Sequence, residues 1–92
     1  MYRIAICDDN VEQTGITETV ILKFFSTIDK EVQVDVFFKP KTLLKTMSNS
    51  RTGYQIIFLD IEMQEMNGIE VARRLRELEK DFLLVFITGY DN

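Results

Sequence analysis

Three aspartates stand directly after apolar runs of this sequence. Asp8 and Asp9 follow YRIAIC, and Asp60 follows IIFL. If the two runs are neighbouring strands of a parallel sheet, their carboxyl ends meet at one edge and bring the three carboxylates close together. Like charges at such short range raise one another's pKa unless a cation lies among them. A hard divalent ion with oxygen ligands, best matched by Mg²⁺ with several retained waters, fits this set.

Phosphoryl transfer is the chemistry that such an arrangement favours. The ion can clamp the oxygens of a phosphoryl group while a neighbouring carboxylate attacks phosphorus to give an acyl phosphate. Thr88 follows a further apolar run, FLLVFI, and is predicted at the same edge. The chain contains no histidine, which excludes imidazole catalysis and most zinc sites.

Each of these residues also has an ordinary structural interpretation. Aspartates after strands often cap helices or form turns, and the Asp8–Asp9 pair alone would more often be capping or solvated than catalytic. Asp60 alone is evenly balanced between the two interpretations, and Thr88 alone is most often a plain strand residue. The coincidence of acids after two strands and a hydroxyl after a third favours function for the set.

The apolar pattern alternates between strand and helix periods. The predicted strands are YRIAIC, EVQVDVFF, YQIIFLD and FLLVFITG. Between these strands lie three segments with the apolar spacing of a helix. The first contains Ile16, Val20, Phe24 and Ile28, with Ile21 and Phe25 beside them. The second contains Leu43, Leu44 and Met47, and the third contains Val71, Ala72, Leu75 and Leu78.

Helix starts are also visible in the sequence. Asn10 or an aspartate before it can cap the first helix, and Pro40 opens the second. Asn67, with Glu70 three residues on, predicts a capping box for the third.

The order of elements predicts an α/β fold, a flavodoxin-like three-layer parallel sheet. Continuous apolar strands belong inside and the alternating second strand at an edge, which gives the order 2-1-3-4 with the fifth strand missing. We therefore expect residues 1–92 to be a single domain truncated after the fourth strand. Its open apolar edge predicts a homo-oligomer formed through that strand.

The composition of the chain argues against several classes of protein. The chain has 92 residues, 46% of them apolar and 28% charged, with a net charge of -4. An acidic chain without a basic face gives no footprint for nucleic acid. No apolar run approaches a membrane span, and no signal region opens the sequence. Cys7, in an apolar run and without a second cysteine, predicts a reduced core thiol, and we expect a cytoplasmic protein.

The segments AICDDN, LDIEM, MNGIE and FITGY resemble the receiver domain of two-component response regulators. Taken together, these four segments are most similar to those of receivers that precede LytTR-type DNA-binding domains. The resemblance implies that Asp60 is phosphorylated by a partner sensor histidine kinase. It also implies that such a chain promotes only its own phosphorylation and dephosphorylation, and is not an ordinary enzyme.

The resemblance assigns further roles around Asp60. Asp8, Asp9 and Asp60, with the backbone carbonyl of Glu62, would be the protein ligands of Mg²⁺. Thr88 would be the switch hydroxyl that bonds the phosphoryl oxygens.

Two departures from the family pattern bear on activity. Many receivers have proline where this chain has Gln64, which predicts a less rigid loop. The fourth helix, fifth strand and fifth helix of the family, with its lysine and aromatic switch residue, have no counterpart. Lys80 is in the wrong place to substitute for that lysine, so phosphotransfer is expected to be impaired. Gly89 matches the small residue that keeps the phosphoryl pocket open.

Other functions remain open alternatives. The same fold could be a non-phosphorylated interaction or dimerisation module. A small phosphohydrolase could use Asp60 as nucleophile and Glu62 as general acid, but that nucleophile generally follows the first strand. A flavin carrier needs a hydroxyl- and glycine-rich loop where Asp8 and Asp9 would repel the cofactor's phosphate.

Overall fold

The computed structural model describes residues 1–49, 51–78 and 81–87. Four strands and three helices alternate along the chain: β1 (Tyr2–Cys7), α1 (Val11–Thr27), β2 (Val32–Phe37), α2 (Pro40–Asn49), β3 (Ile56–Asp60), α3 (Gly68–Leu78) and β4 (Leu83–Ile87). All strand pairs are parallel, and their order is β2-β1-β3-β4. The predicted flavodoxin-like order is confirmed.

Side chains of β1 alternate between two apolar layers. Ile4 and Ile6 pack with Ile21 and Phe25 of α1 on one face of the sheet. Ala5 and Cys7 point to the opposite face, where α2 and α3 close the larger cluster. Cys7 is fully buried, in agreement with the predicted core thiol. The two clusters make β1 the centre of a three-layer fold.

Helix α1 forms where its apolar spacing predicts it, but much of that stripe is not buried. Ile16, Val20 and Phe24 are 52%, 62% and 57% exposed. They line a groove together with Phe58 and Val85 on the same face of the sheet. This groove exists because α1 is the single helix on that face within the described ranges, and it packs over β1 and β2.

Within the part of the chain described, β4 is the second edge of the sheet, as the predicted order 2-1-3-4 with its open apolar edge requires. β4 pairs with β3 alone, and its Leu83 and Phe86 are 59% and 42% exposed. The apolar character of β4 therefore marks an apolar edge. Separately, none of the described helices is long and apolar enough to cross a membrane.

The predicted helix starts are largely confirmed. Asn10 caps α1 by accepting from the backbone N–H of Gln13 at 2.9 Å. The Asn67 side chain accepts from the N–H of Ile69 at 2.7 Å at the start of α3. The second half of the predicted capping box is wrong, because the Glu70 carboxylate pairs with the guanidinium groups of two arginines one turn on, Arg73 and Arg74.

Candidate functional site

Three carboxylates meet at the carboxyl edge of the sheet. Asp8 and Asp9 follow β1 directly, and Asp60 is the last residue of β3. Cys7 and Leu59 are register partners, so the chain delivers Asp8 and Asp60 at the same level of two adjacent strands. One carboxylate oxygen from each aspartate lies within 4.8 Å of the others. The predicted convergence of the three acids is thus confirmed.

The three acids differ in their exposure. Asp8 and Asp60 are 2% and 6% exposed, whereas Asp9 lies at the surface. The Asp8 Oδ1 atom accepts from the backbone N–H of Asn10 at 3.0 Å. The Asp9 Oδ2 atom accepts from the backbone N–H of Gln64, also at 3.0 Å. The cluster therefore opens to solvent on the side of Asp9.

A surface depression adjoins the cluster on this open side. Its lining comprises Asp9, Glu62, Met63, Gln64 and Asn67, all but the first from the loop between β3 and α3. Glu62, the predicted carbonyl ligand, is thus beside Asp9.

Burial and the neighbouring carboxylates change the pKa of Asp60. Burial raises the pKa of Asp60 to about 6, with the charge of Asp8 and a hydrogen bond between the two side chains acting in the same direction. The charge of Asp9 adds to this effect, and the backbone N–H of Glu62 opposes it. Burial first, and then the same acids, raise the pKa of Cys7 to about 12. The ionised forms of Asp60 and Cys7 are therefore destabilised at this edge of the sheet.

These donors fit a hard divalent cation. The set offers carboxylate oxygens only, which is the chemistry that Mg²⁺ selects. A cation among them would offset the repulsion that, in addition to burial, raises the pKa of Asp60. The carboxylates therefore match the predicted cofactor in both ligand type and charge.

Gly68 permits the close approach of α3 to this edge. A Cβ atom at residue 68 would overlap the backbone carbonyl oxygen of Asp60 and lie 2.8 Å from the Ile61 Cα atom. The Gly68 N–H donates to the carbonyl of Ile61 at 2.8 Å. Only glycine lets the helix begin this near to the end of β3. In the sequence Asn67 is visible as a helix cap, but nothing there marks the close approach at Gly68.

The loop after β3 is also fastened to α2. Glu65 Oε1 accepts from the backbone N–H of Lys41, in the first turn of α2, at 3.0 Å. Neither this bond nor that of the Gln64 amide could be predicted from the sequence. Each joins groups far apart in the chain, and the donor in each pair is a backbone N–H, which every residue except proline offers.

Three residues of the sequence-based interpretation lie outside the described residues: Lys80, Thr88 and Gly89. The last described residue before Thr88 is Ile87, the register partner of Asp60. The backbone N–H of Ile61 donates to the carbonyl of Ile87 at 3.2 Å. The described part of β4 therefore reaches the level of Asp60.

Comparison with known proteins identifies the family to which this site is related. A family model described as the response regulator receiver domain matches residues 4–92. The hybrid signal transduction histidine kinase L of Dictyostelium discoideum is 35% identical over 82 residues, which are 89% of this chain and 4% of that protein. The sensory transduction protein LytT of Oceanobacillus iheyensis is 51% identical over 39 residues, 40% of this chain and 16% of LytT. The chain thus spans a small part of these relatives.

Solved structures share the fold. The response regulator TrrA of Thermotoga maritima, in complex with Mg(2+)-BeF, superposes with a TM-score of 0.80 at 25% identity, covering 99% of this chain and 72% of that one. A second structure holds TrrA in complex with the histidine kinase ThkA. It matches with a TM-score of 0.78 at 25% identity, covering 100% of this chain and 72% of the matched chain.

Proposed function

This chain belongs to the response regulator receiver domain family, and from that premise we propose that it accepts a phosphoryl group on Asp60 from a sensor histidine kinase in a Mg²⁺-dependent reaction. The observation that carries the proposal is the convergence of three carboxylates at one edge, with Asp60 at the end of a buried strand. A nucleophile and the ligands for the cation that reaction needs are thereby adjacent.

Each residue of the site has its own role in the proposed reaction. Asp8, Asp9 and Asp60, with the backbone carbonyl of Glu62, would hold Mg²⁺, and when bound the ion supplies positive charge to the phosphoryl oxygens. An ionised oxygen of Asp60 attacks phosphorus and forms a P–O bond. The P–N bond to the donor imidazole breaks, and its electron pair returns to the ring nitrogen. We assign Thr88 the role of hydrogen-bonding a phosphoryl oxygen in the product.

The phosphoryl donor lies outside residues 1–92, since they contain no histidine. The complex of TrrA with ThkA supports a histidine kinase as that partner. We further propose a cytoplasmic location and an attached DNA-binding output domain of LytTR type, which the similarity to LytT supports. In this proposal the chain promotes only its own phosphorylation and dephosphorylation.

A second candidate function is that of a non-phosphorylated module that works by self-association. The exposed apolar side chains of β4 and the groove beside α1 favour it. Both candidates predict that the chain associates through β4. Light scattering should show a mass that increases with concentration over the micromolar range, and a constant monomer mass would contradict association.

Intact mass spectrometry after incubation with acetyl phosphate separates the two functions. With Mg²⁺ we expect a gain of one phosphoryl group, and we expect none with a chelator. Asp60→Asn is the matched control, because it keeps the size of the side chain and removes the nucleophile. A chain that binds Mg²⁺ but gains no phosphoryl group would fit the self-association module or the impaired phosphotransfer expected without the family lysine. The same assay on a chain extended through a fifth strand separates these two explanations.

A further inference from the structure

We propose that the backbone N–H of Gln64 is a positioning group for Asp9, holding one carboxylate oxygen so that the other is oriented to bind the cation. The Gln64 nitrogen lies 3.0 Å from Asp9 Oδ2. Asp9 is the exposed member of the three acids, so packing does not fix its side chain as it fixes those of Asp8 and Asp60. The inference rests on the proposed cation site and deepens it.

The identity of residue 64 decides whether this bond can form. Proline has no backbone N–H, so the residue that many receivers carry at this position cannot donate to Asp9. Here the residue is Gln64, and its amide makes the bond. The departure from the family pattern that predicted a looser loop therefore supplies a hydrogen bond to a candidate ligand. Since the donor belongs to the backbone, every residue except proline can make it.

The rest of the loop keeps the Gln64 amide in place. On one side Glu65 is fastened to the N–H of Lys41, and at the end of the loop Gly68 donates to the carbonyl of Ile61. The amide is consequently presented to Asp9 by a loop anchored to two other elements. Asp9 then loses less rotational freedom when it binds a cation.

The expected loss of cation affinity on removing the Gln64 N–H is taken from other metal sites. Removing the outer partner of a metal ligand typically weakens metal affinity by about 10- to 100-fold. Asp9 is exposed and water can replace the amide, so we expect the lower end, about tenfold.

The test compares two substitutions at one residue. Gln64→Ala keeps the backbone N–H, and Gln64→Pro removes it. We would measure Mn²⁺ binding by the electron paramagnetic resonance of the free ion, because Mn²⁺ prefers the same oxygen ligands as Mg²⁺. The alanine variant should bind within about twofold of the parent chain and the proline variant about tenfold more weakly.

An Asp9→Asn background separates positioning from a general loop effect. There the difference between the alanine and proline variants should fall below about twofold, because the ionised ligand that the amide orients is gone. A proline variant that binds as tightly as the alanine variant would overturn the inference, as would a difference that persists in Asp9→Asn. If the parent chain binds no Mn²⁺, the proposed cation site itself fails.

A second measurement applies if Gln64→Pro does not fold. Hydrogen exchange of the Gln64 amide in the parent chain should be slow, and Asp9→Ala should accelerate it by about tenfold or more. Equal exchange in the two chains would overturn the proposed contact.

Discussion

The backbone N–H of Gly68 donates to the carbonyl oxygen of Ile61 at 2.8 Å, and this bond brings the first turn of α3 against the backbone of Asp60. The end of β3 and the start of α3 are therefore one rigid corner. The position of Asp60, which carries the proposed chemistry, therefore depends on the lack of a side chain at Gly68.

Gly68→Ala should destabilise the chain by about 2–3 kcal/mol, because its methyl group would overlap backbone atoms that cannot move without displacing β3. Gly15→Ala is the matched control. Nothing lies within 4 Å of a Cβ at Gly15, in the exposed part of α1, so alanine there should stabilise by about 0.5–1 kcal/mol. Urea unfolding would measure both, and equal effects would contradict the steric argument.

Glu65→Ala should cost about 1 kcal/mol, since it removes the acceptor for the Lys41 N–H at the start of α2. Glu65→Gln keeps a side-chain oxygen at the same reach and should lose less. Urea unfolding of the two variants gives the comparison, and faster hydrogen exchange of the Lys41 amide in the alanine variant would locate the effect. An alanine variant as stable as the parent would show that the contact contributes nothing.

Tyr54 gives the chain a dependence on alkaline pH. Its Oη donates to Asp35 Oδ2 at 2.5 Å in a buried position. Burial, followed by the hydrogen bond and the charge of Asp35, raises the pKa of Tyr54 above its ordinary value of 10.0. The folded chain then holds this proton more tightly than the unfolded chain, so stability is complete below about pH 10 and falls as the pH rises above it.

Tyr54→Phe should therefore lose about 1 kcal/mol at pH 7 and show a weaker decline above pH 10 than the parent. Tyr2→Phe is the control, because Tyr2 is 38% exposed and its ring contact with Phe25 does not need the hydroxyl. Urea unfolding at several pH values tests this. A parent and a Tyr54→Phe variant with parallel curves would contradict the role of the hydroxyl.

The sequence predicted the fold well because its strands differ in pattern. The alternation of Val32, Val34 and Val36 with polar residues placed β2 at an edge, and the continuous run of β3 placed it inside, as found. The face of α1 could not be predicted in the same way. Ile16, Val20 and Phe24 repeat as a buried stripe would, yet whether a stripe is covered depends on what packs beside it.

The candidate site likewise has one part that the sequence predicts and another that it does not. The convergence of Asp8, Asp9 and Asp60 follows from parallel strands and adjacent order, both of which are encoded in apolar pattern. Contacts of the Gln64 amide and the Glu65 carboxylate depend on the path of an irregular loop. No periodicity governs that path, so such contacts appear only in three dimensions.

Mg²⁺ should stabilise the folded chain, because burial and the charges of Asp8 and Asp9 raise the pKa of Asp60 to about 6, and the ion would offset that concentration of negative charge. At ten times its dissociation constant, the ion should add about 1.4 kcal/mol to the free energy of unfolding, and a chelator should reverse the gain. Asp60→Asn should be more stable than the parent without Mg²⁺ at pH 7, since Asp60 is then ionised at a cost that asparagine avoids. The same variant should gain less from Mg²⁺, because it has lost an ionised ligand. Thermal unfolding with and without the ion measures both effects, and an equal gain in the two chains would show that Asp60 does not contribute to the cation site.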